Sequence, residues 1–405
     1  MRWANFFHLY QPPHWPTRVI AKVARESYRP LISFLLSHRD VRVTINIAGS
    51  LTEQLQQRAF RPIVTGLRRL LQRGQVELTD SAMYHAILPL LPEAEVRRQV
   101  TLNRATNRRA FGSAYRPAGF FPPEMAYNAK LGRWLSQLGY RWVILDGISH
   151  PGLVNYEQQY RIAGTTLTAV FRNRFVSDYL AFEAQPGDVH KFFSTVQRWN
   201  GQKSLLITAM DGENLGHHRR AAKKMWQHLV RLPTVETVTI SEVLKSLDGP
   251  RTVRPRAASW SSRPADLARD VPFVLWRNPA NHLHQLQWAL FTTVLKLVYH
   301  HERRDRLPRP IRTEFDQTMA SDWYWWASRE PWWDVDIIMQ AAERLRLLAE
   351  ELSPPHSTLE RVRRLVGSIK NTAHRWHASG AADRHLKRFM RHEPMPRYLG
   401  GKSVN

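Results

Sequence analysis

Short apolar segments rich in β-forming residues alternate with helical stretches over roughly the first 250 residues, and this alternation constrains the fold more than any other feature. It is typical of parallel strands joined by crossover helices. The predicted strands are Trp3–Phe7, Val41–Ile47, Val76–Leu78, Gly119–Phe121, Trp142–Leu145, Thr166–Phe171, Leu205–Met210 and Val238–Ile240. The predicted helices between them are Leu51–Leu71, Ala94–Phe111, Ala129–Leu138 and Arg220–Leu232.

Almost every predicted strand ends at a polar residue. Polar side chains at the C-terminal ends of many parallel strands are typical of a barrel active site, whereas an open doubly wound sheet binds its ligand at one switch point. No glycine-rich phosphate loop follows any of these strands, which argues against a nucleotide-binding fold. The strand-end residues are His8, Asn46, Thr79, Glu124, Asp146, Arg172 and Asp211.

Composition excludes several classes of protein. The chain has 405 residues, 43% of them hydrophobic, which is enough to form a buried core. No apolar run reaches the ~18 residues of a membrane span, and the first residues lack the layout of a secretion signal, so we expect a cytoplasmic protein. Cysteine is absent, which excludes disulfides, thiolate metal sites and a cysteine nucleophile.

The changes in composition along the chain predict four regions. Residues 1–249 are expected to form a catalytic β/α barrel, and 250–275, rich in Pro, Arg and Ser, a connector. Residues 276–353 are helical and rich in aromatic residues, and we expect them to contribute to the active site. Residues 354–405 form a basic helical tail.

The basic tail contributes to a net charge of +25. From Arg361 to Lys402 it carries 11 basic residues against 2 acidic ones. One interpretation is a docked terminal helix with a solvated basic face. The other is docking to an anionic partner, such as a membrane surface or nucleic acid. No site motif lies after Arg391, so we expect truncation there to spare catalysis.

Two carboxylates arrive from different predicted strands, and two carboxylates are the minimum apparatus for glycoside cleavage. Glu124 follows a strand and two prolines, with Phe121 and Tyr127 nearby. Asp211 ends a long apolar strand and is followed by Gly-Glu-Asn-Leu-Gly-His-His, in which the two glycines are expected to let the backbone turn sharply. These two residues are the predicted catalytic pair.

Other polar residues near these strand ends are candidate substrate contacts. A glutamate within an apolar strand is costly unless it is paired, so Glu77 is either part of an ion pair in the barrel or part of the site. Aromatic clusters at helical spacing are more often core than ligand platforms, but Asp322 beside Trp323 favours sugar binding. The candidates are His8, Gln11, Glu77, His85, Tyr127, Glu213, His217, Asp322 and Trp323.

Five segments, in this order, resemble the five sequence regions of glycoside hydrolase family 57. They are His8–Pro13, Gly74–His85, Gly119–Asn128, Leu205–His218 and Ser321–Trp326. The resemblance covers most of the chain, from Trp3 to Trp333. It implies an incomplete (β/α)7 TIM-like barrel followed by a C-terminal helical region.

The resemblance also implies a retaining enzyme acting on α-glucans or malto-oligosaccharides, with Glu124 as nucleophile, Asp211 as acid/base and no cofactor or metal. Hydrolysis, glucanotransfer and branching all occur in the family. The sequence departs from many members at Tyr10, where a second histidine is common, and at Phe121, where tryptophan is common.

Three other classes are weighed against this one. A deacetylase on a related barrel would need a metal bound by histidine and aspartate, yet His85, His217, His218, His300 and His301 lack the His-x-x-x-His spacing. A catalytically silent glucan-binding protein would not need both carboxylates. A nucleic-acid-binding protein would explain the charge, but not acids at strand ends.

Overall fold

The first strand, β1 (Arg2–Leu9), lies between neighbouring strands in the computed structural model, which describes residues 1–201 and 204–392. Its side chains alternate between two buried layers. Trp3, Phe7 and Leu9 pack against the surrounding helices, whereas Ala4 and Phe6 belong to a second cluster formed with other strands. Burial on both faces explains why the strand reads as a continuous apolar run rather than as an alternating one.

The strands form two five-stranded sheets. After β1 they are β2 (Val43–Ile47), β3 (Val76–Thr79), β4 (Gly119–Phe120), β5 (Trp142–Asp146), β6 (Tyr160–Ile162), β7 (Thr168–Arg172), β8 (Leu205–Asp211), β9 (Glu236–Val238) and β10 (Arg251–Val253). In the first sheet, the order is β3-β2-β1-β8 with β9 also pairing with β1, and every pairing is parallel. In the second sheet, the order is β10-β6-β7-β5-β4, and only β6 and β7 run antiparallel.

Two short links join the sheets into a ring of seven strands. A parallel bridge between Asp80 and Phe120 connects the end of β3 to β4. The backbone N–H of Asn173, just after β7, donates to the carbonyl of Ile207 in β8 at 2.7 Å. The ring therefore runs β1, β2, β3, β4, β5, β7 and β8, with thin seams at these two places. This is the expected incomplete TIM-like barrel, and the prediction of fold class is confirmed.

Helices cover the barrel and follow most of its strands. Those of the first unit, Met1–Trp260, are α1 (Thr17–Val23), α2 (Arg29–Ser37), α3 (Gly49–Leu55), α4 (Arg61–Gln72), α5 (Glu93–Phe111), α6 (Ala129–Gln137), α7 (Arg174–Asp178), α8 (Val189–Asn200), α9 (Arg220–Leu229) and α10 (Ile240–Ser246). A five-residue π-helical turn, Ala24–Tyr28, separates α1 from α2.

Seven of the predicted strands are present, and the eighth, Val238–Ile240, overlaps β9 only at Val238 because Ile240 begins α10. Three other local predictions were wrong. The single helix expected over 51–71 is two helices, since Pro62 lies in the first turn of α4 and a proline favours a new helix start there over continuation. The short strands β6 and β10 were missed, because three residues carry little periodicity.

A second compact unit begins at Ser261 and is helical. Its helices are α11 (Pro264–Ala268), α12 (His282–Glu302), α13 (Arg309–Gln317), α14 (Asp322–Trp325), α15 (Val335–Glu351), α16 (His356–Ala378) and α17 (Ala381–His392). None of the helices in the described parts of the chain is both long and apolar enough to cross a membrane.

The predicted basic tail is described only in part. In α16, Val362, Val366 and Ile369 are buried, and Arg363 and Lys370 pair with acids of α15, each at 3.0 Å. This part of the tail is thus a packed amphipathic helix. The segment from residue 393 onward, which the truncation after Arg391 would remove, lies outside the described residues.

Candidate active site

Three neighbouring strands place polar side chains at the same level of the barrel. His8 near the end of β1 is in register with Asn46 of β2 on one side and with Asp211 of β8 on the other. Side chains at matching positions of adjacent parallel strands point to the same face. The sequence positions 8, 46 and 211 therefore converge because the strand register brings them together.

A buried pair of histidines lies on the Asn46 side of this row. The Nδ1 atom of His8 is 2.8 Å from Oδ1 of Asn46, and its Nε2 atom is 2.9 Å from Nε2 of His85. Burial lowers the pKa of His8 to about 3, against a smaller opposing effect of the Asn46 hydrogen bond, and burial also holds the pKa of His85 well below its usual range. Both rings are therefore neutral at neutral pH.

The neighbours of the pair determine which nitrogens carry protons. Asn46 donates from Nδ2 to Thr79 at 3.1 Å, so its Oδ1 accepts from Nδ1–H of His8. A neutral His8 then has a lone pair on Nε2, and His85 must be the donor between them. This leaves a lone pair on Nδ1 of His85, the nitrogen that lies 3.9 Å from Oε1 of Glu124. His85 consequently presents an unprotonated nitrogen to that carboxylate.

Glu124 sits on a tight turn directly after β4. Its backbone is left-handed, with φ at 59°, as is that of Met125 at 49°. Such conformations cost non-glycine residues roughly 1–3 kcal/mol and are concentrated at functional sites. The indole of Trp260 donates to Oε2 of Glu124 at 2.6 Å, and the backbone N–H of Trp260 donates to its carbonyl at 3.0 Å. The side chain of Glu124 is 20% exposed, so it is oriented but accessible.

Asp211 ends β8 beside a second acid, Glu213, and its side chain is half-buried. Burial raises the pKa of Asp211 above its ordinary value, and Arg172 opposes this shift. Burial and the charge of Asp211 likewise raise the pKa of Glu213. Two neighbouring carboxyl groups that are both withdrawn from water tend to share protons rather than ionise together. Asp211 is thus suited to hold a proton near neutral pH.

Glu213 is held by donors from the chain that follows β1. One of its oxygens accepts from the hydroxyl of Tyr28, from the backbone N–H of Tyr10 at 3.2 Å and from the side chain of Gln11 at 3.3 Å. Gln11 and Glu213, both predicted site residues, are therefore in contact.

The π-helical turn that carries Tyr28 contacts the segment after Asp211 at several points. Ser27 donates to the carbonyl of Gly212 at 2.6 Å, and Glu26 lies 2.6 Å from Nδ1 of His217. Gly216 has a φ of 130°, and a Cβ there would lie 2.2 Å from the carbonyl oxygen of Glu26. The segment thus depends on glycine where it meets the turn, and π-helical turns are frequent at functional sites.

Arg172, at the end of β7, connects the two carboxylates. It pairs with Asp146 at 2.6 Å and with Asp178 at 3.2 Å, and its charge acts on Asp211. Its guanidinium carbon is also 5.4 Å from the ring centre of Trp260, the residue that orients Glu124. Glu124 and Asp211 therefore border one continuous cluster of side chains.

Glu77 and Tyr127, which were predicted to contact substrate, have neighbours that differ from those of the strand-end cluster. Glu77 lies two residues before the end of β3 and accepts hydrogen bonds from the backbone of Ser241 at 3.0 Å and from Thr44 at 3.2 Å. Ser241 is in the first turn of α10, so Glu77 satisfies a helix N-terminus, which favours the structural alternative. Tyr127 is completely buried, and its ring packs against Gly132.

Asp322 and Trp323 open α14 in the second unit. Trp323 is buried, and its indole donates to the carbonyl of Gln317 at 3.2 Å, as expected of a core residue. Asp322 is half-buried. Their contribution to substrate binding stays a prediction.

Two residues of the cluster escaped the sequence analysis. Trp260 lies in the stretch predicted to be a connector, where a single tryptophan between serines was the only signal. Tyr28 lies in a helical stretch with no strand end nearby. Within residues 1–201 and 204–392, no three His, Asp or Glu side chains are grouped so as to hold a metal ion.

Comparison with known proteins shows which family and fold this chain resembles. The sequence model of Glycosyl hydrolase family 57 matches residues 5–258. Alpha-amylase 1 of Dictyoglomus thermophilum is 24% identical over 220 residues, which are 52% of this chain and 31% of that protein. The match thus spans about a third of the relative's length.

Two solved structures share the fold. The 4-alpha-glucanotransferase of Thermococcus litoralis has a TM-score of 0.64 at 17% identity, covering 86% of this chain and 60% of that one. The GH57-type branching enzyme of Pyrococcus horikoshii also has a TM-score of 0.64 at 17% identity, covering 90% and 94%. At these identities the likeness establishes the fold alone.

Proposed function

This chain belongs to Glycosyl hydrolase family 57, and we propose that it cleaves α-1,4-glucosidic bonds of glucose polymers through a covalent intermediate on Glu124, with Asp211 as acid/base. The observation that carries the proposal is the pair of carboxyl groups bordering one cluster. Glu124 is one-fifth exposed (20%) and oriented by Trp260, whereas the carboxyl of Asp211 is half-buried beside Glu213 and its desolvation raises its pKa. A nucleophile and a proton donor need such contrasting surroundings.

The reaction would proceed in two displacements. Glu124 attacks the anomeric carbon, while Asp211 gives its proton to the departing glycosidic oxygen. Asp211, now ionised, then takes a proton from the incoming acceptor as this acceptor displaces Glu124. Arg172 would stabilise the ionised form of Asp211 between the two steps.

The identity of the acceptor separates hydrolysis from its alternative. Water as acceptor gives hydrolysis, a chain-end hydroxyl gives glucanotransfer, and a 6-hydroxyl gives a branch point. The substrate, an α-glucan or malto-oligosaccharide, and a cytoplasmic location are part of this proposal.

Product analysis tests the proposal directly. The purified chain would be incubated with maltoheptaose, amylose and glycogen, and reducing ends, chain lengths and α-1,6 linkages would be followed. New reducing ends indicate hydrolysis, redistributed lengths without them indicate transfer, and new α-1,6 linkages indicate branching. An unchanged glucan in every incubation would contradict the proposal.

Trapping the intermediate tests the assigned nucleophile. A 5-fluoro-α-glucosyl fluoride is expected to leave a glycosyl group on the peptide that contains Glu124, detected by mass spectrometry. Labelling of another carboxylate would assign the nucleophile to that residue, and the proposed glycosidase activity would still stand.

A further inference from the structure

A polar cavity lies apart from the strand-end cluster. Its volume is about 440 Å³, and it is formed by the end of α5, the loop before β4 and the turn before β5. None of the predicted catalytic or substrate-contacting residues lines it. The lining residues are Arg104, Arg108, Ser113, Tyr115, Arg116, Pro117, Ala118, Leu138, Gly139, Tyr140 and Arg141.

The lining of this cavity is strongly basic. Four of its residues are arginines, and none of the described residues that line it is an acid. Asp80, which contacts the lining residues Arg104, Tyr115 and Tyr140, is fully buried. Guanidinium groups brought together without counter-charges repel one another, so this arrangement favours an anion between them.

Asp80 cannot neutralise the whole group, because its oxygens already have partners. Arg104 donates to it at 3.0 Å, Asn103 at 2.6 Å, Tyr140 at 2.5 Å and Tyr115 at 3.1 Å. The charge of Arg104 is therefore balanced, and Arg104 and the two tyrosines form a rigid wall.

The positive charges of the other three arginines that line the cavity are available to a ligand. Arg108, Arg116 and Arg141 are exposed, and the structure pairs none of them with a carboxylate in the described parts of the chain. Arg116 donates to the carbonyl of Ser113 at 3.0 Å, and Arg141 acts only weakly on Glu77, which Ser241 and Thr44 already satisfy.

We propose that this cavity is a binding site for a phosphorylated small molecule, with Arg108, Arg116 and Arg141 as the phosphate ligands. Guanidinium groups match the geometry of phosphate oxygens in two-pronged hydrogen bonds. A volume of about 440 Å³ falls within the ~300–1,000 Å³ of small-molecule sites, so it accommodates more than a bare phosphate ion. A sugar phosphate and a nucleotide share the recognised group.

The site is expected to be regulatory rather than catalytic. Ala118 and Arg141 immediately precede β4 and β5, whereas Glu124 follows β4 at its other end. A ligand between these segments would contact both strands ahead of the Glu124 turn.

Calorimetric titration of the full chain tests the proposal with pyrophosphate, glucose 1-phosphate and AMP at constant ionic strength set with potassium chloride. Saturable binding is expected, together with a rise in melting temperature. Stronger binding of glucose 1-phosphate than of AMP identifies a sugar phosphate, and the reverse identifies a nucleotide.

Matched variants locate the binding. Arg108→Ala and Arg141→Ala should each weaken binding at least about tenfold, since hydrogen bonds between charged groups are lost. Arg73→Ala removes an exposed arginine that does not line the cavity, and it should bind like the parent. Equal stabilisation by chloride alone, or unchanged affinity in both cavity variants with circular dichroism showing a folded chain, would overturn the proposal.

Discussion

The Glu124 side and the Asp211 side of the barrel mouth use opposite surroundings for the same chemical group. On the Glu124 side, the indole N–H of Trp260 donates to the carboxylate and the neutral ring of His85 lies 3.9 Å from it. On the Asp211 side, the partners are charged or chargeable, namely Arg172 and Glu213. We propose that this difference prepares Glu124 for attack and Asp211 to carry a proton.

Glu124→Gln is expected to have the largest effect, because it removes the nucleophile while leaving the hydrogen bond from Trp260 possible. Turnover should fall by at least ~10³, and the glycosyl label should disappear. Steady-state kinetics on any α-glucan that the parent cleaves would measure the loss. Near-normal turnover would remove Glu124 from the nucleophile's role.

Asp211→Asn should cost ~10²–10⁴ in rate on ordinary glucans, since no proton is supplied to the leaving group. Substrates with an activated leaving group need less protonation, so their glycosylation step should suffer less. Comparing maltoheptaose with an aryl or fluoride glycoside separates the two cases. An equal loss on both substrates would indicate a structural role instead.

Tyr28→Phe tests whether the hydrogen bond from Tyr28 to Glu213 influences the pKa of Asp211. Removing this donor disfavours ionised Glu213 and so raises its pKa further, which lessens the negative charge next to Asp211. The pKa of Asp211 should then fall, and the alkaline limb of the pH–rate profile should move to lower pH, with roughly a tenfold loss of rate at neutral pH.

Tyr115→Phe is the matched control for Tyr28→Phe. Tyr115 is also a buried tyrosine that donates to a carboxylate, Asp80, but it lies outside the cluster. The acidic and alkaline limbs of the pH–rate profile of Tyr115→Phe should coincide with those of the parent. If Tyr28→Phe lowers the rate without moving the profile, Tyr28 is only a packing residue.

Glu77→Gln should have the smallest effect on turnover and separates the two interpretations of that residue. Burial raises the pKa of Glu77 in the folded chain, so folding favours its protonated form. Its contribution to stability is therefore greatest at low pH and is lost as pH rises from the ordinary value through the raised one. Melting temperatures across pH 4–8 should vary less in the variant, while KM stays unchanged. A large rise in KM would instead place Glu77 at the substrate.

The strands that carry the proposed catalytic pair could be predicted, because the end of a strand is a local property of the sequence. Asp211 ends an apolar run, and Glu124 follows one after two prolines. The partners of these residues were harder to find. Trp260 reaches Glu124 across 136 residues and Tyr28 reaches Glu213 across 185, and neither shows a periodic pattern that points to its partner.

Gly212 and Gly216 also show that contacts between distant segments are hard to predict from the sequence. The sequence predicted that both glycines allow a sharp turn after Asp211, and Gly216 does so with its φ of 130°. Gly212 has a different reason, because a Cβ there would lie 2.2 Å from a methyl carbon of Leu9. A close approach between distant segments leaves no trace in local composition.

The position of β1 has a consequence for the nascent chain on the ribosome. Its partner β8 begins at Leu205, so Arg2 and its register partner are separated by about 200 residues of synthesis. At translation rates of roughly 5–20 residues per second, the apolar strand waits some 10–40 s for that partner. During this interval β1 can pair only with β2, and its other edge is open to chaperones or to other chains. Slower translation would lengthen this exposure, so the yield of folded protein should depend on synthesis rate more than its final stability would suggest.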